Sequence, residues 1–254
     1  MRVFMGPGEQ EAHYARIVAE RRPTQAFVSC GYYERFDPLL LDRKPFLEPV
    51  YERLFAKLFP AAPARLLDVG CGTALYWPVL RRRCASLVGI DPSAAMIEEA
   101  SRLVEAKRLD GVALFVGGLG DADLAEGSFD AALCVDVLHH LADLRGAVRA
   151  LHRLLAPGGR LCAVEPNAFN PAVWLAHAIP REERRAVARS YAPRLRRLFA
   201  PYFADIRVEY VNYVASAASA ASIRRWAAVD RLMGCSPWLR WLSLRQILTM
   251  RRRP

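Results

Sequence analysis

A short apolar strand that runs straight into a glycine turn is the feature that most limits what this chain can become. Residues 65–74 read Arg-Leu-Leu-Asp-Val-Gly-Cys-Gly-Thr-Ala. Gly70 and Gly72 lack a Cβ, so the backbone there can turn sharply and let another group come close. Asp68 stands two residues before the first glycine, and a second apolar run, 86–90, ends in Asp91. An acid about twenty residues beyond a glycine turn, at the end of the next strand, can accept both hydroxyls of a ribose. The pairing suits a ligand with a ribose and a charged small-molecule end.

The same strand-then-helix pattern continues along the chain. Strands are expected at 65–69, 86–90, 112–116, 129–135 and 160–164, with helices near 73–83, at 93–108 and at 141–155. In the last helix Leu144, Ala147, Val148, Leu151, Leu154 and Leu155 fall on one face. Pro157-Gly158-Gly159 ends it. The strands are continuous apolar runs, as expected of a parallel sheet covered on both faces. Repeated β-α units imply right-handed crossovers and an open, doubly wound α/β sheet. Gly70, Asp91, Gly118, Asp136 and Glu165 would then stand at the carboxyl ends of five successive strands. That is the edge at which open α/β sheets take their ligands. Two further strands, 204–213 and 245–251, follow, with helical insertions at about 168–202 and 214–244. Residues 1–60 read as a helical, aromatic-rich segment lying ahead of a single domain, 61–254.

Composition narrows the class. With 254 residues, 53% of them hydrophobic, the chain can bury a full α/β core plus extra helices. No apolar run reaches the ~20 residues that span a bilayer. The N-terminus carries no signal-peptide apolar core, so a cytoplasmic protein is expected. The six cysteines, at 30, 71, 84, 134, 162 and 235, have no metal-ligand spacing, and no metal is expected. Charge is uneven. Residues 171–254 hold 16 arginines, no lysine and 5 acids, a net of +11, while residues 1–170 come to −1. Most of that basic third reads as solvated helix faces; the sharper reading is a surface for an anionic partner.

Taken together, the motifs resemble one family, the class I S-adenosylmethionine-dependent methyltransferases of the small-molecule type. Asp68-Val69-Gly70-Cys71-Gly72-Thr73 resembles its first motif, and Gly89-Ile90-Asp91-Pro92-Ser93 its second-strand motif. Phe129-Asp130 with Val137-Leu138-His139-His140-Leu141 resembles its mid-chain signature. Leu154-Leu155-Ala156-Pro157-Gly158-Gly159-Arg160 with Glu165-Pro166-Asn167 resembles its fifth-strand region. A nicotinamide-binding protein would carry Gly or Ala three residues after Gly72, where this chain has Leu75. The resemblance implies a mostly parallel seven-stranded, Rossmann-like methyltransferase sheet with an antiparallel last strand.

The resemblance also implies the cofactor, S-adenosyl-L-methionine, and its contacts. Asp68 with the backbone of Gly70, Cys71, Gly72 and Thr73 would hold the methionine end. Asp91 would bind the ribose, competing with a role in capping the helix that starts near Ser93, and Pro92 would pack on the adenine. Many relatives carry an acid after the third strand. Here Gly117-Gly118-Leu119 stands there, leaving backbone groups of Gly118 and Leu119, or Asp121 reaching back. Asp136 and Val137 would meet the methionine moiety and the acceptor. His139 or His140 is the expected base for the acceptor, with Asp136, Glu165 and solvent as alternatives. Tyr14, Tyr32 and Tyr33 are candidates to close over the cofactor.

The expected reaction is methyl transfer to an oxygen or nitrogen of a small apolar, aromatic or lipid-like acceptor. The acceptor would be met by Phe169, Trp174, Trp226, Trp238 and Trp241 with Leu232, Met233, Leu239, Leu242 and Leu244. Residues 222–245 combine tryptophans with Arg224, Arg225, Arg231, Arg240 and Arg245, a composition that suits weak contact with an anionic membrane and a peripheral location there. Nucleic acid is the less favoured partner, because the Asn/Asp-Pro-Pro-aromatic motif of adenine amino-methyltransferases is absent. A protein that binds the cofactor without transferring its methyl group is the remaining alternative. The residues set no oligomeric state.

Overall fold

The computed structural model describes residues 7–20, 36–120, 124–171, 173, 186–212, 220–234, 236 and 238–254. Seven strands form one sheet in the order β3-β2-β1-β4-β5-β7-β6. β1 (Arg65–Val69) lies inside the sheet, parallel to both β2 (Ser86–Asp91) and β4 (Phe129–Val135). β3 (Val112–Val116) extends one side and β5 (Leu155–Pro166) the other, also in parallel. The last strand, β7 (Arg245–Arg252), inserts antiparallel between β5 and β6 (Phe203–Val211). β6 therefore runs with the parallel strands, and β7 starts at the edge where they end.

Alternation along each strand builds two apolar layers. Leu66, Leu87, Leu133, Val164 and Ile247 face one side, with residues of α3 (Glu48–Leu58), α4 (Trp77–Leu80) and α5 (Ala94–Lys107). Leu67, Val88, Cys134, Ala163 and Leu248 face the other, with α6 (Leu144–Leu154) and α7 (Ala192–Phe199). Each fully buried Leu, Val or Phe contributes about 1.5–3 kcal/mol before entropy is charged. α1 (Pro7–Glu20) packs on α5, and α2 (Leu40–Arg43) leads through a 3-10 turn into α3. α3 shares its core directly with the sheet: Val50, Leu54, Phe55 and Leu58 lie in one cluster with Leu66 and Ile247. Both Cys134 and Cys162 are core residues, as their apolar strands suggest. Cys30 and Cys235 lie outside the described residues.

Several boundaries differ from the sequence reading, each for a local reason. The helix expected near 73–83 starts only at Trp77, because Gly70, Gly72 and Ala74 all hold positive φ and keep the chain turning. Residues 81–83 continue it as a 3-10 turn. The helix expected at 141–155 starts at Leu144, where the Asp143 side chain caps it by accepting the Gly146 N–H at 2.8 Å. β3 is apolar yet not covered on both faces: it is an edge strand, and Phe115 and Val116 are exposed. Within the insertions the described regular elements are α7, α8 (Ala220–Gly234) and a 3-10 turn, Leu239–Leu242.

Candidate active site

The glycine turn is held shut from below and left open above. The N–H groups of Gly70 and Cys71 donate to the Ile90 carbonyl at 2.8 and 3.2 Å. Gly70 has φ +66°, and a Cβ there would strike Val137 Cγ2 at 2.5 Å, so the turn and the segment after β4 touch at this point. Gly72 has φ +54° with open space where a Cβ would stand. Its N–H donates to Asp91 Oδ2 at 2.9 Å, while the Ser93 N–H donates to Asp91 Oδ1 at 2.9 Å. The cap of α5 is Ser93 itself, whose Oγ accepts the Met96 N–H at 3.4 Å. Asp91 thus ties the helix start to the glycine turn. Each of its oxygens keeps a second lone pair for a ligand hydroxyl. Burial raises the Asp91 carboxyl above its ordinary value, against the pull of the Ser93 and Gly72 amides.

Asp68 lies beneath this turn, fully buried. It accepts the Trp77 Nε1–H at 2.7 Å and the Tyr76 O–H at 3.1 Å. Burial pushes its carboxyl up to about 7; the Trp77 and Tyr76 hydrogen bonds lower it and the charge of Asp91 adds to the rise. Tyr51 of α3 packs on Tyr76 at 5.9 Å between ring centroids, which brings the N-terminal segment against the turn. Burial pushes the Cys71 thiol up as well, so it stays a neutral packing group. Thr73 Oγ1 is buried and has no hydrogen-bond partner.

A second knot closes the end of β4. Glu165, fully buried, accepts the N–H groups of Val137 at 3.0 Å and Leu138 at 2.8 Å through Oε1. Its Oε2 lies 2.6 Å from His139 Nδ1 and 3.5 Å from Ser190 Oγ. His139 is 2% exposed, and His140, half-buried, packs on it at 4.0 Å between ring centroids. Asp136, with φ +58°, is ion-paired to Arg245 at the start of β7. Burial draws the Arg245 guanidinium down, but the charge and hydrogen bond of Asp136, with the charge of Glu165, leave it above its ordinary value. Of the four candidate bases, Glu165 is committed to the β4 segment and Asp136 to Arg245. His139 is committed to Glu165, and His140, half-buried like Asp136, lies against the His139 ring.

The remaining expected site residues are placed as follows. The Gly117 N–H donates to the Asp91 carbonyl at 2.9 Å, setting Gly118 beside the end of β2. Leu119 packs into the core and offers its backbone only. Pro92 is exposed next to Asp91. Tyr14 lies 5.9 Å from Phe36, ring to ring. Tyr32, Tyr33, Asp121 and Trp174 lie outside the described residues, as does the side chain of Trp226.

At the β5–β7–β6 end, aromatic rings gather. Phe169 lies 5.1 Å from Trp241 and 5.5 Å from Tyr191, and Tyr210 stacks on Trp241 at 6.3 Å. Three asparagines hold the segment that carries Trp241 and Arg245. The Asn167 amide donates to the carbonyls of Trp241 at 2.6 Å and Ser243 at 2.7 Å, and Asn170 donates to that of Leu242. Asn212 accepts the Leu244 N–H at 2.9 Å and donates to Asp230 of α8 at 2.8 Å. Trp238 and Leu232, expected in the acceptor wall, face solvent instead. Sequence reasoning also grouped Arg245 with the membrane-facing arginines. It belongs with Asp136, because β7 starts at the ligand edge of the sheet.

Residues 67–163 match the family model described as a methyltransferase domain, and the seven-stranded sheet with its antiparallel last strand is the fold of solved class I S-adenosylmethionine-dependent methyltransferases. The ubiquinone biosynthesis O-methyltransferase of Pseudomonas aeruginosa is 34% identical over 124 residues, 48% of this chain and 52% of that protein. The chain thus matches about half the length of such curated relatives. Among solved structures, the N-methyltransferase NodS from Bradyrhizobium japonicum in complex with S-adenosyl-L-homocysteine has a TM-score of 0.58. It is 18% identical, over 95% of this chain and 98% of that one. The [4+2]-cyclase SpnF has a TM-score of 0.60 at 17% identity, over 98% of both chains. The fold alone therefore does not decide the reaction.

The residues present fit the cofactor of this class. Asp91 offers two acceptor oxygens for a ribose diol, Gly72 leaves its face open, and Thr73 holds a buried hydroxyl with no protein partner.

Proposed function

We propose that this protein transfers the methyl group of S-adenosylmethionine to an oxygen of a small aromatic or lipid-like acceptor. The observation that carries the reading is Asp91, clamped by the Gly72 and Ser93 amides at the mouth of an open glycine turn beside the unpartnered Thr73 hydroxyl. In this reading Asp91 grips the ribose, Pro92 covers the adenine, and Gly118 and Leu119 meet it through their backbones. Asp68, Gly70, Cys71, Gly72 and Thr73 hold the methionine end. The bound cofactor supplies an activated methyl group on a good leaving group. The protein's work is then alignment and exclusion of water. Asp136, held by Arg245, and Val137, held by Glu165, border the place where methyl group and acceptor meet. His140 takes the acceptor proton, with His139 and Glu165 bracing its ring. The Phe169, Tyr191, Tyr210 and Trp241 rings supply an apolar wall for the acceptor.

An oxygen acceptor is favoured by the relatives, which include ubiquinone biosynthesis O-methyltransferases. Incubation with methyl-labelled cofactor and cell extract, followed by fractionation, tests the reading. Label should enter the lipid-soluble small-molecule pool. Label confined to RNA or protein, or no transfer despite tight cofactor binding, would contradict it.

A further inference from the structure

Nine large apolar side chains are notably exposed among the described residues, and five of them fall within eleven positions: Leu232, Trp238, Leu239, Trp241 and Leu242. Trp238 is 87% exposed and Leu232 69%. A cluster of this kind costs solvation free energy unless something covers it, and it marks an interaction surface. It is not a frayed end. The amides of Asn167 and Asn170 bond three consecutive carbonyls, those of Trp241, Leu242 and Ser243, to the end of β5.

The charge around the cluster points to one kind of partner. On α8, Arg224, Arg225, Arg231 and Leu232 are exposed, and their spacing of one and seven residues puts them on one face. The opposite face carries buried Ile223 and half-buried Asp230, the helix's single acid, which accepts the Asn212 amides. Among the described side chains the outward face therefore carries guanidiniums and no acid, with an apolar side chain among them and indoles just beyond it. Guanidiniums match phosphate oxygens in bidentate fashion, and tryptophan settles at the boundary between head groups and acyl chains.

We propose that the outer face of α8 and the turn at 238–242 dock on an anionic phospholipid surface, with Trp238 and Leu232 inserted and Arg224, Arg225 and Arg231 on the head-group phosphates. The turn leads into Arg245, at the same edge of the sheet as Asp91 and Asp136. Docking therefore brings that edge toward the bilayer, where a lipid-like acceptor dissolves. The surface itself does not depend on the methyl-transfer reading; only its supply of acceptor does.

Flotation of the full chain with equimolar phosphatidylcholine–phosphatidylglycerol vesicles tests this, with phosphatidylcholine vesicles as the control. Binding is expected to the anionic vesicles at low salt, and to fade as salt screens it. Arg224→Gln, Arg225→Gln and Arg231→Gln together should weaken it roughly a hundredfold, at about fivefold per arginine. Trp238→Ser with Leu232→Ser should weaken it by a separate route. Cofactor affinity, titrated on the same preparations, should stay unchanged in both variants, which separates failure here from failure of the enzymatic reading. No flotation with anionic vesicles at low salt overturns the proposal. So does a dimer in sedimentation that Trp238→Ser dissociates, or RNA binding that the arginine variant abolishes while vesicle binding persists.

Discussion

The two halves of the sheet edge are built in opposite ways. At β1, β2 and β4 the polar groups are locked into short arrangements: Asp68 under Tyr76 and Trp77, Asp91 between two amides, and the segment after β4 on Glu165, which reaches across from β5. At β5, β7 and β6 the surface is aromatic and partly exposed, and three asparagines hold it by backbone groups from far along the chain: carbonyls for Asn167 and Asn170, the Leu244 N–H for Asn212. The first half is suited to one invariant ligand bound the same way each time. The second is suited to an acceptor recognised by shape and apolar contact, and its residues can change with little cost to the fold.

The comparison breaks most readily at Glu165. Glu165→Ala leaves the Val137 and Leu138 amides and His139 Nδ1 buried without their acceptor, and should destabilise the protein by about 3–5 kcal/mol in chemical denaturation. Arg224→Ala on the other half should stay within about 0.5 kcal/mol. Comparable losses would mean that the two halves do not differ in this way.

His140→Ala should lower kcat by about a hundredfold, within the usual range for general-base loss, with cofactor affinity retained. Unchanged kcat would assign the proton to solvent.

Asp68 makes the cofactor half sensitive to pH. Its folded carboxyl titrates near 7 against an ordinary 3.8. The folded state therefore holds the proton more tightly, and the stability Asp68 contributes is fullest below 3.8 and is lost as pH rises through 7. A cationic ligand favours the ionised form, so affinity for S-adenosylmethionine should rise by up to about tenfold between roughly pH 6 and 8. Asp68→Asn should flatten that rise in calorimetric titration. A flat profile in the unaltered protein would remove Asp68 from the ligand's electrostatic environment.

Ser93→Ala should give the smallest effect, about 1 kcal/mol of stability for a lost helix cap. Cofactor affinity should change little, because the Ser93 backbone N–H still holds Asp91.

The cofactor half was legible in the sequence because its information is local. A strand, a turn and an acid some twenty residues on are read directly, and Asp91 and the glycine turn stand where that spacing puts them. The helix expected near 73–83 starts only at Trp77 because Ala74, like the glycines before it, adopts a left-handed φ of +58° that no propensity scale assigns to alanine. The acceptor half depends on a topological event, the return of β7 between β5 and β6. Until that pairing is known, Arg245 reads as one more surface arginine, and Asn167, Asn170 and Asn212 read as loop residues. The isolated polar residues 190 and 246 gave no signal either, though Ser190 and Gln246 join the network around Glu165 and Pro166. The exposed apolar cluster at 232–242 is visible as composition, but that its Trp241 also meets Phe169 and Tyr210 is a matter of packing alone.

The central claim is that Asp91 holds the sugar of S-adenosylmethionine. Calorimetric titration of the cofactor into the unaltered protein, Asp91→Asn and Asp91→Ala addresses it most directly. Two charge-assisted hydrogen bonds at about 1.5–3 kcal/mol each predict at least a hundredfold loss of affinity for Asp91→Ala. Asp91→Asn, which keeps one oxygen to accept from the turn, should lose less. Equal affinity in all three proteins, with their circular dichroism unchanged, would contradict the account.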